Sequence, residues 1–315
     1  MRGFSKLLNL TLVITFLCVL SFSSQAQNKP SEQKTGSVLV FPYYTSNDNG
    51  TADTLMSISN VNNTSVIVHL YFMEGRTCQQ ADVAVFLTPN ATITLQAFND
   101  MPMETGYLIA VAVDQNGNLV ANGGLTGSAF VKAPAGHVNA AAGEVRGNYG
   151  ATVFNAYQPV VAVNGELVLN FNGAILDAMP SGFAVALQSP NSAPGQMIVM
   201  AGMNGNLIDS TLTGATQVGT GVAYSADEAL RSFTTLIRGG CQSLTPLTNS
   251  NPRLVGTSGL GLSGLITPGT VGILKFSTAG GVGILITPKN NAGWSGIRNL
   301  TCTRTSNVTL TVPSF

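Results

Sequence analysis

Short apolar runs, each ended by turn-forming residues, dominate the chain from Leu55 to Val113. In residues 66–73 both alternating sets of positions are largely apolar, and valine and isoleucine suit the pleated surface of a strand. Such a run is typical of a strand that is covered on both faces. Residues 107–113 repeat the pattern, and the Asn-Gly pair that follows them is a strong hairpin signal.

Other segments predict strands of a second kind. Residues 92–96 alternate Ile93 and Leu95 with polar side chains, which predicts a half-exposed strand after the turn at residues 88–90. The predicted strands follow each other at intervals of about 10 to 20 residues, without a helical period between them. We therefore predict an all-β fold, an antiparallel β-sandwich of the immunoglobulin-like or jelly-roll-like kind, with few short helices.

Two segments favour a helix, and the chain ends in a clear strand pattern. Residues 227–237 have the best helical spacing, because four side chains would share one face: Leu230, Phe233, Thr234 and Ile237. Residues 140–145 predict a second, shorter helix. Residues 307–312 alternate between polar and apolar, and this strand would pair within its own sheet or with the edge of a neighbouring copy.

The first 26 residues resemble a secretory signal peptide. Arg2 and Lys6 precede an apolar stretch at residues 7–22, and residues 24–26 offer a small-x-small cleavage site. The alternative is a membrane anchor, but the stretch is shorter than the roughly 20 residues that a span needs. We expect cleavage after Ala26, a disordered leader at residues 27–36, and no membrane span in the mature chain.

The mature chain is long enough for one large β-domain or two of ordinary size. We predict a β-sandwich domain at residues 37–155, and a second β-rich domain, or a continuation of the same sandwich, at residues 156–315. A faint internal repeat bears on this choice, because residues 87–92 and 106–110 resemble residues 266–271 and 281–285. Two similar domains would explain the repeat, and so would the common vocabulary of strands within one domain.

Several segments of the mature chain also carry a resemblance. The chain is similar to a loose group of uncharacterised exported bacterial proteins in its FPYY segment at residues 41–44, its LTPN segment at residues 87–90 and its GYLIAVAVD segment at residues 106–114. The resemblance is most specific in the first half. It implies a bacterial, exported protein, and it brings no activity, cofactor or catalytic residue.

Charge excludes one class of function. Charged residues make up 9% of the chain, against about 25% in an average globular protein. The chain has 14 basic and 14 acidic residues, so removing Arg2 and Lys6 leaves a slight acidic excess. Without a basic footprint, nucleic acid is not an expected partner. The uncharged polar composition suits an exported protein whose surface is neutral or partly covered by other copies of the chain.

The mature chain has three cysteines, and in an exported protein disulfide formation is their usual fate. Three cysteines cannot all pair within one chain. We predict a Cys241–Cys302 disulfide, which would join the region before residue 241 to the C-terminal strands. Cys78 would then be unpaired or would link two chains.

Two oxygen-rich loops are candidate metal sites. Asp48 and Asp53 lie in one loop and Asp114 in another, and calcium takes such oxygen ligands. Neither loop has EF-hand spacing, and turns use the same residues for their own hydrogen bonds. Calcium binding and a purely structural role are both compatible with the sequence, and we expect no other cofactor.

Exposed aromatic side chains are candidate contacts for a glycan. Tyr43 and Tyr44 follow Pro42, which predicts a strand end or an edge, and Trp294 is the single tryptophan. Tyr71 lies in a two-sided apolar run, so we expect it in the core.

No catalytic motif stands out. The chain has no Gly-x-Ser-x-Gly elbow, and His69 in an apolar run and His137 in a loop are interpreted as structural. We predict an exported, non-catalytic protein of the cell surface or extracellular space, structural or adhesive, that forms a homo-oligomer or surface polymer. The alternatives are a carbohydrate-binding module and a secreted hydrolase with dispersed acidic residues.

Overall fold

The computed structural model describes residues 34–140, 142–212, 218–236, 241–255, 261–278, 280–289 and 295–314. The predicted signal peptide, most of the predicted leader and Trp294 lie outside these residues. Within them, strands predominate and the two helices span four residues each. The predicted all-β fold with few short helices is confirmed. No helix in the described ranges is long and apolar enough to span a membrane.

Up to residue 155, the described chain forms nine strands and one short helix, joined mostly by tight turns. In order, they are β1 (Val38–Thr45), β2 (Asp53–Asn60), β3 (Val66–Glu74), β4 (Gln80–Leu87), β5 (Thr92–Gln96), α1 (Ala97–Asp100), β6 (Thr105–Val113), β7 (Leu125–Ala133), β8 (Val145–Gly150) and β9 (Thr152–Phe154). The predicted turns lie between strands: Asn90 has φ 58° and Gly117 has φ 75°.

After residue 155, many strands are shorter. They are β10 (Glu166–Phe171), β11 (Met179–Gln188), β12 (Met197–Gly202), β13 (Gly205–Asn206), β14 (Thr211–Leu212), β15 (Val218–Tyr224), β16 (Leu230–Leu236), β17 (Gln242–Pro246), β18 (Arg253–Leu254), α2 (Leu262–Leu265), β19 (Val271–Ser277), β20 (Gly281–Thr287), β21 (Gly296–Asn299), β22 (Thr301–Ser306) and β23 (Val308–Pro313).

These strands form five sheets. Sheet I has the order β4-β3-β6-β1-β9, sheet II β5-β2-β7-β8, sheet III β10-β23-β13-β14, sheet IV β17-β12-β20-β21, and sheet V β18-β16-β15-β19-β11-β22. Strands β13 and β23 run parallel, and the other pairs are antiparallel. The C-terminal strand β23 lies inside sheet III between β10 and β13, so its predicted pairing within its own sheet is confirmed.

The interior strands of sheet I, β3, β6 and β1, are covered on both faces, as the two-sided apolar runs predict. Along β3, Leu70 packs into a hydrophobic core that sheet I shares with sheet II. The next residue, Tyr71, packs into a second core that sheet I shares with sheet III. We call these core A and core B. Tyr71 is completely buried, so its predicted core position is confirmed.

The inner strands of sheet IV, β12 and β20, are also buried on both faces, and this sheet joins the two parts of the chain. Val199 of β12 packs into core A, whereas the adjacent Met200 packs into a third core, core C, together with sheet V. Cores A and B therefore draw residues from both sides of residue 155. The domain boundary near that residue stays a prediction.

The internal repeat in the sequence coincides with repeated strand connectivity. In the first set of strands, β2 lies between β5 and β7, and β3 lies between β4 and β6. In the second set, β11 lies between β19 and β22, and β12 lies between β17 and β20. The order along the chain is the same in both sets. The two similar sequence segments contribute β5 and β6 to the first set and β19 and β20 to the second. This shared connectivity favours two similar units over a chance similarity between β-strand sequences.

The helix predicted at residues 227–237 is wrong. Residues 230–236 form strand β16, which pairs with β15 along its whole length. Leu230 is 45% exposed whereas Phe233 is 2% exposed, so the two do not share a buried face. The cross-strand partner outweighs the local spacing, because propensity is a weak prior against tertiary pairing. The helix predicted at residues 140–145 is also absent from the described part, where β8 begins at Val145.

The end of the predicted disordered leader is ordered. Gly36 exchanges backbone hydrogen bonds with Leu125, and the Lys34 ammonium lies 2.6 Å from the Asp177 carboxylate. Polar composition indicated disorder for the whole leader, but these residues have specific partners far away in the sequence.

Candidate functional site

The two tyrosines predicted as glycan contacts lie in the core, so that prediction is wrong. Tyr43 is 1% exposed and Tyr44 is 0% exposed. The Tyr44 hydroxyl donates a hydrogen bond to the Met73 carbonyl at 3.2 Å, and burial raises the pKa of both phenols. Pro42 lies at a register irregularity within β1 and not at an exposed edge, because sheet I is covered on both faces there.

The predicted cysteine pairing is also wrong. Cys78 and Cys241 form the disulfide, with their Cα atoms 5.4 Å apart, and Cys302 is free. Cys78 is therefore not available to link two chains. Burial raises the pKa of the Cys302 thiol to about 11, which makes it a poor nucleophile at neutral pH. Sequence separation could not identify this pair, because the two cysteines meet only through the packing of sheets I and IV.

The acidic residues of the proposed calcium loops serve the loops themselves. Asp53 accepts hydrogen bonds from the Phe98 N–H and the Gln96 side chain, and Asp114 accepts hydrogen bonds from the Asn116 and Asn118 N–H groups. Asp48 is exposed. Asp53 begins β2 of sheet II beside the Thr45 end of β1, whereas Asp114 follows β6 near the opposite end of β1. Within the described residues, no group of three or more His, Cys, Asp or Glu side chains could hold a metal ion.

Both histidines have structural surroundings. His69 is 3% exposed; its Nδ1 lies 2.9 Å from the Tyr71 hydroxyl and its Nε2 lies 3.4 Å from Asp82. The Tyr71 hydroxyl donates to the Pro313 carbonyl at 2.6 Å. His137 Nε2 lies 2.8 Å from the Thr45 hydroxyl. The disulfide removes Cys78 as a nucleophile that His69 could serve.

A buried ion cluster around Asp177 was not predicted. Asp177 is 1% exposed, and its carboxylate lies 3.3 Å from the guanidinium of Arg304, which is 5% exposed. Lys34 and the hydroxyl of Tyr157 complete the cluster. Its members come from distant parts of the sequence, so no local pattern could have indicated it. The Asn155 N–H also donates to the carboxylate at 2.8 Å, and these protein partners give the cluster a structural role.

The most distinctive surface is the outer edge of β4. Among the residues that the structure describes, this strand ends sheet I, and it pairs with β3 over eight consecutive residues without an irregularity. Its sequence contains neither lysine, arginine nor proline, and Asp82 is its one charged residue. Val83 is 47% exposed and Phe86 is 64% exposed. A long, regular, apolar edge of this kind is a template for pairing with another strand.

A second candidate is a groove of about 470 Å³ on the outer face of sheet V. Its centre is formed by small residues of β11, because Gly182 lies opposite Ser277 and Ala184 lies opposite Lys275. Threonine hydroxyls surround this centre: Thr220, Thr301 and Thr303. The Lys275 ammonium lies 5.2 Å from the centroid of the Tyr224 ring in the next row of the sheet. The groove is shallow, polar at its rim and weakly cationic.

Comparisons with known proteins add no function. No family model matches the chain, and no curated protein matches it. A solved structure described as Thermotoga maritima 1070 has 8% sequence identity and a TM-score of 0.29, over 38% of this chain and 97% of that chain. The apo form of a Pleurotus ostreatus lectin has 11% identity and a TM-score of 0.14, over 91% of this chain and 83% of that chain. Both scores are too low for either likeness to carry an argument.

Proposed function

We propose that the chain is an exported, non-catalytic protein of the cell surface or extracellular space, with a structural or adhesive role, and that its copies associate with each other. The open edge of β4 is the observation that carries this proposal. Natural edges of this length are usually protected by charges, proline or bulges, and β4 has one aspartate. The balanced charge of the chain means that copies do not repel each other strongly.

Two further features support export. The Cys78–Cys241 disulfide is a bond that persists in oxidising compartments. The first 26 residues have the charge and apolar pattern of a signal peptide. The resemblance to exported bacterial proteins agrees with both features.

The size of the mature chain in solution tests the proposal. We expect its mass, measured by light scattering over a range of concentrations, to rise above that of the monomer. Val83→Lys places a charge on the β4 edge and should weaken association at least about tenfold. Val271→Lys is the matched control. Val271 is 52% exposed on sheet V, so a charge there should leave association unchanged. A monomer at every concentration would contradict the proposal.

The groove on sheet V favours a second candidate, a glycan-binding role. Its hydroxyl groups and Lys275 could hydrogen-bond sugar hydroxyls, and they replace Tyr43 and Tyr44 as candidate contacts. On a glycan array, we expect Lys275→Ala to lose any binding that the wild type shows, whereas Lys289→Ala, at another exposed lysine, retains it. Binding that survives Lys275→Ala would argue against this groove.

A further inference from the structure

The hydrogen-bonding direction of each β4 residue follows from the hairpin that joins it to β3. The Glu74 N–H donates to the Gln79 carbonyl, and these two residues continue the register from the Met73–Gln80 pair, so they occupy the position of a hydrogen-bonded pair in the ladder. Such pairs alternate along antiparallel strands. The odd-numbered residues of β4 therefore bond to β3. The backbone N–H and C=O groups of the even-numbered residues point outward in the plane of the sheet, at its edge: Gln80, Asp82, Ala84 and Phe86.

Given the proposed self-association, we infer that the partner of β4 is β4 of a second copy, paired antiparallel about a two-fold axis at Val83. A two-fold axis perpendicular to the sheet makes each face of one copy continuous with the same face of the other copy. Because directly opposite side chains lie on the same face, an odd-numbered residue can lie opposite only an odd-numbered residue, and an even-numbered residue only an even-numbered one. With Val83 opposite Val83 of the second copy, Gln80 lies opposite Phe86 and Asp82 lies opposite Ala84. This register alone pairs all four outward-directed residues with each other.

Charge selects the same register. A shift that places the axis at Asp82 would put two aspartates directly opposite each other, which is destabilising. A shift toward Ala84 would leave Gln80 without a strand partner. In the inferred register, the one charged residue of β4 faces an alanine.

The pairing would produce a closed dimer and not a fibre. Joining two copies through β4 makes one sheet of twice the width, whose outer strands are the two β9 strands. Strand β9 has three residues, all of them buried, so it offers little edge for a third copy. The symmetric arrangement uses the same surface on both copies and leaves no open β4 edge.

Two charge variants at one position test the register. In the inferred dimer, a lysine at position 84 of each copy would lie opposite Asp82 of the other copy, which creates two symmetric ion pairs. Ala84→Lys should therefore tighten the dimer roughly 2- to 30-fold at low salt. Ala84→Glu should weaken it by a similar factor. If Ala84 lay on the axis instead, both variants would weaken the dimer, because like charges would then meet. Sedimentation measures these dissociation constants, and circular dichroism checks that both variants fold.

Cysteine crosslinking provides the independent readout, in a Cys302→Ser background. The two Val83 residues would form a non-hydrogen-bonded pair with Cα atoms about 4.5 Å apart, which suits a disulfide. Val83→Cys should therefore give a covalent dimer on oxidation, whereas Val85→Cys, which would face Ala81, should not. Crosslinking of Val85→Cys alone would overturn the register while self-association stands. A wild-type chain that is monomeric at all concentrations would overturn both proposals.

Discussion

At the scale of single residues, the buried pair of Asp177 and Arg304 links distant parts of the chain. Arg304 of β22 also donates to the Val153 carbonyl at 2.7 Å, and its guanidinium lies 4.4 Å from the centroid of the Phe154 ring. Burial would raise the pKa of Asp177, but the hydrogen bonds that it accepts and the charge of Arg304 outweigh burial and lower it. The carboxylate is therefore ionised at neutral pH and compensates the buried guanidinium.

Removing this carboxylate should be costly. Asp177→Ala leaves the Arg304 charge buried without its partner, and breaking a buried pair in this way costs about 3–5 kcal/mol of the free energy of unfolding. Asp209→Ala is the control, because Asp209 is exposed. Chemical unfolding of both variants provides the comparison, and an Asp177→Ala protein as stable as the wild type would show that the pair contributes little.

His69 should make stability depend on pH. Burial lowers the pKa of His69 below that of a free imidazole, and the nearby Asp82 opposes this shift only in part. In the unfolded chain the His69 imidazole takes up a proton at about pH 6.5, whereas in the folded chain it takes up the proton only at lower pH. The free energy of unfolding should therefore fall as the pH drops below about 6.5, by at most about 1.4 kcal/mol per pH unit for this one group.

Urea unfolding at pH 7.5 and pH 5.5 measures that dependence. His69→Gln should reduce the difference between the two pH values, and the remaining part should come from His137, whose pKa burial also lowers. An unchanged pH dependence in the His69→Gln variant would show that this residue is not responsible.

The sequence identifies buried residues better than it identifies partners. Tyr71 could be assigned to the core because its neighbours are apolar on both sides. Tyr43 was misplaced because the proline before it indicated an edge, and only the packing of sheets II and III onto sheet I shows that both faces are covered. The disulfide and the Asp177 cluster depend on contacts between residues more than 100 positions apart, which no local pattern encodes.

At the scale of elements, β4 is the longest of the edge strands in the described ranges. Strands β14 and β18 have two residues each, β17 ends in Pro246, and β22 carries Arg304 and pairs irregularly with β11. Each of these features is a known means of protecting an edge. Strand β4 has eight regular residues and none of these features except one acidic side chain.

Proline substitutions at adjacent positions should distinguish the side of β4 that bonds to β3 from the side that is free to pair with a second copy. The Ala84 N–H points away from β3, so Ala84→Pro should abolish association and leave a folded monomer. The Val83 N–H bonds to β3, so Val83→Pro should remove a ladder bond and cost roughly 1–3 kcal/mol of stability. Light scattering and chemical unfolding of both variants test this contrast; an Ala84→Pro protein that still associates would place the interface elsewhere.

Strand prediction from the sequence was reliable where residues were β-branched and failed where helical spacing arose by chance. Residues 66–73 and 107–113 were predicted as strands with two covered faces, and both are interior strands of sheet I. In residues 230–236 the pairing with β15 overrides the spacing of apolar side chains. The exposed edge of β4 could not be predicted, because its apolar sequence indicates burial.

At the scale of the whole molecule, the disulfide joins corresponding points of the two strand sets. Cys78 lies two residues before β4 and Cys241 directly precedes β17, and these two strands occupy the same place beside β3 and β12. The Gln242 side chain adds hydrogen bonds of 2.7 Å to the Pro42 and Gly106 carbonyls at the same junction. These contacts hold sheet I against sheet IV.

Opening the disulfide should weaken this junction. Cys78→Ser is expected to cost about 2–5 kcal/mol of the free energy of unfolding, since the bond closes a long loop of 163 residues. Cys302→Ser is the control and should change stability little under oxidising conditions. If the two variants had equal stability in denaturant unfolding, the Cys78–Cys241 bond would not be the one that stabilises the fold.

Amide hydrogen exchange along β4 tests the central claim, that a second copy covers this edge, most directly. At low concentration, the odd-numbered residues should exchange slowly because they bond to β3, whereas the even-numbered residues should exchange fast. At high concentration, we predict that Gln80, Asp82, Ala84 and Phe86 also become protected. Fast exchange of these four amides at every concentration would contradict the account.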